Sequence, residues 1–165
     1  MKNKKITICV ALVIIFLTLG LDQWTKWAIT HSLSLHEVQE IIAHFFSLTY
    51  VQNTGAGFSL FEGFGVMFFA LLTLAALAVI VYAFFKTKDV RVQLCLSLIC
   101  SGALGNLIDR LRFGYVRDFL SFRIFGWNFP VFNIADICIT VGFGCLIACM
   151  IYDEIQEKRR WKSLS

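Results

Sequence analysis

Residues 63–85 read GFGVMFFALLTLAALAVIVYAFF, 23 consecutive positions without a charge. A bilayer core needs about 20 residues of helix at a rise of 1.5 Å each, so this run is long enough to span. Working outward, three more charge-free runs appear at residues 6–21, 92–108 and 137–152, of 16, 17 and 16 residues. These are short. To cross hydrocarbon, the first must draw in Asp22 and the last must draw in Asp136. The reading is therefore a membrane all-α protein with a small β element, in one domain over residues 1–165. Its four transmembrane helices cover about 6–27, 64–85, 90–108 and 133–152. A chain that is 58% apolar and 16% charged, with 17 Phe and a mean hydropathy of +0.74, excludes a soluble globular domain.

Lys and Arg set the orientation. Lys2, Lys4, Lys5, Lys86, Lys88, Arg91, Lys158, Arg159, Arg160 and Lys162 fall on one side. Lys26, Arg110, Arg112, Arg117 and Arg123 fall on the other. Ten against five puts both termini in the cytoplasm and residues 28–63 and 109–132 outside. The four outer arginines run against the rule, so a task is expected of them, such as pairing with carboxylates or lipid headgroups. The basic flanks make anionic phospholipid a natural partner. Nothing resembles a nucleic-acid module. The N-terminus begins like a signal peptide but lacks a small-x-small cleavage site, and is read as an uncleaved first helix.

The six cysteines all fall within the expected helices, without CxxC spacing, and read as packing residues. Residues 40–52, EIIAHFFSLTYVQ, suggest one or two strands, broken by a turn at Asn53-Thr54-Gly55-Ala56-Gly57. Ser97, Ser101 and Gly105 form a small-residue stripe that lets another helix come close.

The chemistry rests on aspartate. A carboxylate at mid-bilayer costs about 3 kcal/mol on insertion scales, so each such group asks for a reason. Asp118 and Asp136 stand at the two ends of a connection that can bring them side by side at the outer face. Two close carboxylates share a proton: the ionised one can take a proton from water while the other donates. Asp136 has a second reading. With Asn133 as N-cap it occupies the third helical position, where a carboxylate is favoured. Asp118 has as its alternative a salt bridge to Arg117 or Arg123. Asp22 and Lys26, four apart, read equally as a helical ion pair or as part of a site. Asn53, Asn106 and Asn133 could orient water or bind a substrate backbone. His31, His36 and His44 lack ligand spacing, so no metal site and no cofactor is expected. Intramembrane acids would also suit a small transporter, and the stripe an assembly protein.

Five stretches in order carry a specific resemblance: Leu21-Asp22-Gln23-Trp24-Thr25-Lys26, Asn53-Thr54-Gly55-Ala56-Gly57-Phe58-Ser59, Gly102-Ala103-Leu104-Gly105-Asn106-Leu107-Ile108-Asp109-Arg110, Val116-Arg117-Asp118-Phe119 and Phe132-Asn133-Ile134-Ala135-Asp136. Together the chain resembles lipoprotein signal peptidase, or signal peptidase II. That resemblance implies an aspartic endopeptidase of the bacterial inner membrane. Its substrates are prolipoproteins carrying a diacylglyceryl cysteine, cut just before that cysteine. It implies a four-helix bundle with an outer β-cradle and a short outer helix closing over the site, and inhibition by cyclic peptide antibiotics such as globomycin. It makes Asp118 and Asp136 the catalytic pair, and gives supporting or substrate-binding roles to Asp22, Asn53, Asn106, Asp109, Arg110 and Asn133, with Lys26 beside them. Three positions depart from the family pattern. Arg117 replaces a small apolar residue, and its cation would lower the pKa of Asp118 or meet lipid phosphate. Gly57 replaces alanine, loosening its turn. Ile137 replaces serine.

Overall fold

The structure is a computed structural model that describes residues 2–55 and 65–162. Four helices, α1 (Lys2–Ser32), α2 (Gly65–Lys86), α3 (Val90–Phe113) and α4 (Ile134–Lys162), are each long and apolar enough to cross a membrane. Between them lie four strands, β1 (Val38–Ile42), β2 (Phe46–Asn53), β3 (Val116–Ile124) and β4 (Trp127–Asn128). They form one antiparallel sheet in the order β1-β2-β3-β4. Among the described residues no separate short outer helix is present. Gly57 and its turn lie outside the described residues.

The helices outrun the apolar segments that announced them. Charge-free runs mark where hydrocarbon must be crossed, whereas a helix ends where its backbone is capped. α3 begins at Asp89, whose Oδ1 accepts from the Arg91 N–H at 2.8 Å. It ends at Gly114, in a left-handed conformation (φ +78°) that returns its N–H to the Arg110 carbonyl. Asp109 and Arg110 are thus helical residues, not loop residues as the 90–108 reading had them. α4 likewise continues to Lys162, past the expected 152.

α3 is the axle. In its most apolar window 72% of the residues are buried, against 17% in each of the other three helices. It is the least apolar of the four for the same reason: it faces protein, while the others turn Phe16, Met67, Val79 and Met150 toward lipid. The small-residue stripe is where neighbours close on it. Ser97 and Ser101 are buried, and the Ser101 hydroxyl meets that of Thr18 on α1. A Cβ on Gly102 would strike the Ala135 carbonyl oxygen of α4, and one on Gly105 would sit 2.5 Å from Asp22 Oδ2.

The sheet holds more of the chain than its sequence suggested. β1 and β2 occupy the stretch read as strands, turning at Ala43-His44-Phe45. β3 and β4 were not foreseen. They are joined by a two-residue turn, Phe125-Gly126, with φ of 50° and 81°. β3 pairs with β2 along its length, with an irregularity between Leu48 and Val51 that leaves Asp118 opposite Val51. On its other side, Leu120 exchanges hydrogen bonds with Phe132, which pins the segment leading into α4 against β3. Leu48, Tyr50, Phe119 and Leu120 of the sheet pack with Ile29 of α1 and with Leu33 just past its end.

A buried charge cluster ties these parts together. Lys26 Nζ lies 3.0 Å from Asp22 and 3.4 Å from Asp109. Arg117 donates to Asp109 through Nη2 at 2.7 Å, through Nε at 3.2 Å and through its backbone N–H at 3.0 Å. A further bond runs from Arg117 to Gln23 Oε1, and the guanidinium carbon lies 4.6 Å from the Phe113 ring centre. Asp22, Lys26, Asp109 and Arg117 are all at most 6% exposed, and their formal charges sum to zero. This corrects the expectation that Arg117 acts on Asp118 or on lipid. Consecutive residues on a strand point to opposite faces, so the side chain beside Asp118 in sequence is turned away from it. The expected task for an outer arginine, pairing with a carboxylate, is what Arg117 does.

Two outcomes follow for stability, read as thermal midpoints in detergent. Gly102→Ala lowers the midpoint, by the equivalent of about 1–3 kcal/mol, because a backbone carbonyl cannot step aside as a side chain can. Gly144→Ala, where a Cβ meets nothing within 4 Å, does not lower it. Arg117→Val leaves a buried acid uncompensated, at a cost of about 3–5 kcal/mol. Adding Asp109→Asn restores neutrality and recovers part of the loss. A double variant no better than Arg117→Val alone would show that charge balance is not what Arg117 contributes.

Candidate active site

α4 starts with a reciprocal cap. Asn133 Oδ1 accepts from the Asp136 N–H at 3.0 Å, and Asp136 Oδ2 accepts from the Asn133 N–H at 3.2 Å. The capping reading of Asp136 is thus correct as geometry. A third ligand to this helix end comes from α1, where Asp22 Oδ1 accepts from the Ala135 N–H at 2.9 Å. Capping uses one oxygen of Asp136 and leaves the other free to turn elsewhere. That oxygen, Oδ1, accepts from Asn106 Nδ2 at 2.8 Å.

Asn133 does two jobs. Its oxygen caps α4, and its amide nitrogen donates to Asp118 Oδ1 at 2.6 Å and to Asn106 Oδ1 at 3.1 Å. Asp118 Oδ2 accepts from Asn53 Nδ2 at 2.9 Å, and Asn53 is itself oriented by the Gly55 N–H on its oxygen. The amide orientations are fixed by exclusion. Lys26 can only donate, and its Nζ holds Asn106 Oδ1 at 3.0 Å, so Asn106 must turn its nitrogen to Asp136. Three carboxamides from β2, α3 and the start of α4 therefore place donors on two carboxylates from β3 and α4.

Asp118 and Asp136 line a common cavity of about 390 Å³, together with Asn53, Asn106 and Arg110. Its remaining walls are apolar for the most part: Val116, Phe129, Pro130, Val131 and Phe132 above, and Ile137, Thr140 and Val141 down the first turns of α4. Asp22, Lys26, Asp109 and Asn133 stand behind this lining, buried. All nine residues singled out from the sequence are thus gathered in one region, five in the cavity wall and four supporting it. Arg110 Nη2 donates to the Gly55 carbonyl at 3.2 Å, and its guanidinium carbon lies 5.8 Å from the Phe69 ring centre.

The two carboxylates differ from the buried acids Asp22 and Asp109 in one respect. Asp22 and Asp109 are each salt-bridged to a cation, whereas among the described residues neither Asp118 nor Asp136 has one. The alternative of a salt bridge from Asp118 to Arg117 or Arg123 is not realised. Burial, and next to it the charge of Asp136, push the Asp118 carboxyl up to about 7, against the pull of the Asn53 and Asn133 donors. A carboxyl titrating there can hold a proton near neutral pH and give it up.

Gln23 was missed. It lies inside one of the motifs, but apart from the adjacent Asp22, to which it donates at 3.1 Å, its partners Gly105, Asp109 and Arg117 are 82 to 94 residues away, so no local pattern marks it. The three histidines are dispersed. His31 stacks on Trp27, while His36 and His44 occupy turns at positive φ. Among the described residues no group of three His, Cys, Asp or Glu side chains could hold a metal ion.

The family model described as Signal peptidase (SPase) II matches residues 14–152. A lipoprotein signal peptidase from Enterococcus faecalis is 42% identical over 144 residues, which cover 86% of this chain and 88% of that protein. One from Staphylococcus aureus is 35% identical over 160 residues, covering 96% and 98%. Two solved structures, each described as a bacterial membrane enzyme determined by the in meso method, superpose with TM-scores of 0.83 and 0.79, both at 36% identity. The first covers 89% of this chain and 90% of its own, the second 88% and 95%. With its four spans and these relatives, the chain is a multi-pass bacterial membrane protein that belongs to the signal peptidase II family.

Proposed function

We propose that the chain is a membrane aspartic endopeptidase that removes the signal peptide from diacylglyceryl-modified prolipoproteins, cutting just before the lipidated cysteine. Asp118 and Asp136 are its catalytic pair. The observation that carries the reading is two carboxylates without cationic partners on the wall of one cavity, one of them titrating near neutrality.

The chemistry balances within the pair. Asp136, ionised, takes a proton from a water molecule as its oxygen attacks the scissile carbonyl. Asp118, protonated, gives its proton to the carbonyl oxygen, so that a neutral gem-diol forms without a buried oxyanion. Collapse returns a diol proton to Asp118 and passes the proton on Asp136 to the leaving amine. Asn53, Asn106 and Asn133 hold the two carboxylates in register. Asp22, Lys26 and Asp109 hold the amides and the end of α4, and Arg110 shapes the opening. No metal or other cofactor is needed. The apolar wall formed by Ile137 and Val141 suits a substrate that arrives through the membrane, with signal helix and acyl chains already in lipid. Cyclic peptide antibiotics of the globomycin type would compete for the same cavity.

The site belongs to the outer face, with both termini cytoplasmic in the cell inner membrane. Alkaline phosphatase fused after Gly63 is then active, and fused after Lys88 inactive; the reverse pattern overturns the orientation. The function itself is tested with purified protein and a diacylated prolipoprotein. Asp118→Asn and Asp136→Asn each abolish release of the signal peptide while the protein is recovered at normal levels. The double variant is no worse than either, because the pair acts as one unit. In the parent, activity falls as pH rises through about 7, since Asp118 then loses the proton it must donate. Full activity of Asp136→Asn would leave that residue a helix cap and nothing more.

A further inference from the structure

α1 and α2 each pack along α3 but scarcely touch one another. The gap between them is a groove of about 180 Å³, walled by Ile8 and Ile15 on one side and Ile80 and Phe84 on the other, and floored by Leu96 and Ser97. From Ile8 to Ile15 it runs roughly 10 Å along the helix axis at 1.5 Å per residue. It opens sideways, between two helices whose neighbouring side chains face lipid. Water has no reason to stay there. The Ser97 hydroxyl is spent on the Gln93 carbonyl at 2.7 Å, and among the described residues no buried side-chain polar atom lacks a partner. Whatever fills the groove is apolar.

The end of the groove carries charge. α1 starts and α2 finishes at the same end of the bundle. Lys5 precedes Ile8 by one turn, and Lys86 directly follows Phe85, which also lines the groove. Both lysines are exposed, as is Lys88 beside them. No acid lies in the first turn of α1, whose N-terminal dipole adds to the same positive field. An apolar slot about 10 Å deep, ending between cations at the level of the helix ends, matches a phospholipid: tail in the slot, phosphate at its mouth.

We propose that this groove binds one acyl chain of an anionic phospholipid whose phosphate is held between Lys5 and Lys86. The lipid replaces the packing that α1 and α2 do not make with each other. The proposal is independent of the catalytic reading, because the groove shares no residue with the cavity of Asp118 and Asp136.

The test uses the full chain, delipidated in detergent, and a phosphatidylglycerol with a photoreactive group near the end of one acyl chain. Labelled positions are mapped by mass spectrometry. Labelling at residues 8–15 and 80–85 exceeds that at the lipid-facing Leu71 and Leu72 several-fold. Unlabelled phosphatidylglycerol competes, and phosphatidylcholine with the same chains competes several-fold less well. Ala11→Phe, which fills the slot, removes the excess labelling. Lys5→Gln with Lys86→Gln keeps the labelling but loses the preference between headgroups. Labelling no greater than at Leu71 and Leu72 overturns the site, and equal competition by the two lipids overturns its anionic character. Dimers crosslinked through the groove would give it to a second copy of the chain instead. Should Ala11→Phe fail to fold, competition on the unaltered chain still decides.

Discussion

Two acids and two bases, Asp22, Asp109, Lys26 and Arg117, are shut away between α1, α3 and β3, and they must cancel one another. At membrane depth an unmatched charge is expensive, so this cluster admits few alternative arrangements of its elements. Asp22 belongs to α1 and also binds the first turn of α4. Asp109 belongs to α3 and binds β3 through the backbone and side chain of Arg117. Lys26 links both acids and passes the constraint on to Asn106. One set of bonds thus sets how three helices and a strand meet, and the cavity is the space that their meeting leaves.

Beside this closed account stand two carboxylates with no cation of their own. Asp118 and Asp136 receive only neutral donors, from Asn53, Asn106 and Asn133 and from one backbone N–H. Neutral donors orient a carboxylate without fully offsetting its burial, which is how Asp118 comes to titrate at about 7. The arrangement separates acids that are salt-bridged from acids that are not. Those that hold the fold are salt-bridged to Lys26 or Arg117. Those proposed to do chemistry are left free to exchange a proton. Asn133 joins the two sets, capping α4 with its oxygen and holding Asp118 with its nitrogen.

Much of this was legible in the residues, and the parts that were not share a cause. α2 is declared by an uninterrupted apolar run, and the placement of Asp22 and Asp136 followed from runs too short to span. The pairing of Asp118 with Asp136 followed from where their segments had to begin and end, and the ordered motifs pointed to the family. α3 was read too short because hydropathy stops at Ile108, whereas the helix continues through Asp109 and Arg110 on the strength of tertiary partners. The same error hid β3, since its opening residues dock on that extra turn. Once β3 is a strand, alternation sends Arg117 away from Asp118, which adjacency in sequence had suggested otherwise. Gln23 could not be found at all, because its meaning lies in residues more than 80 positions away.

The central claim is that one proton is shared by Asp118 and Asp136, residing on Asp118 near neutral pH. Infrared titration of the protonated-carboxyl band in detergent-solubilised protein tests it without reference to any substrate. A carboxyl band that disappears as pH rises through about 7 is expected in the parent. It should be absent in Asp118→Asn, and should disappear at lower pH in Asp136→Asn, where the neighbouring negative charge is gone. A band that persists in Asp118→Asn, or that titrates identically with and without the Asp136 carboxylate, would contradict the account.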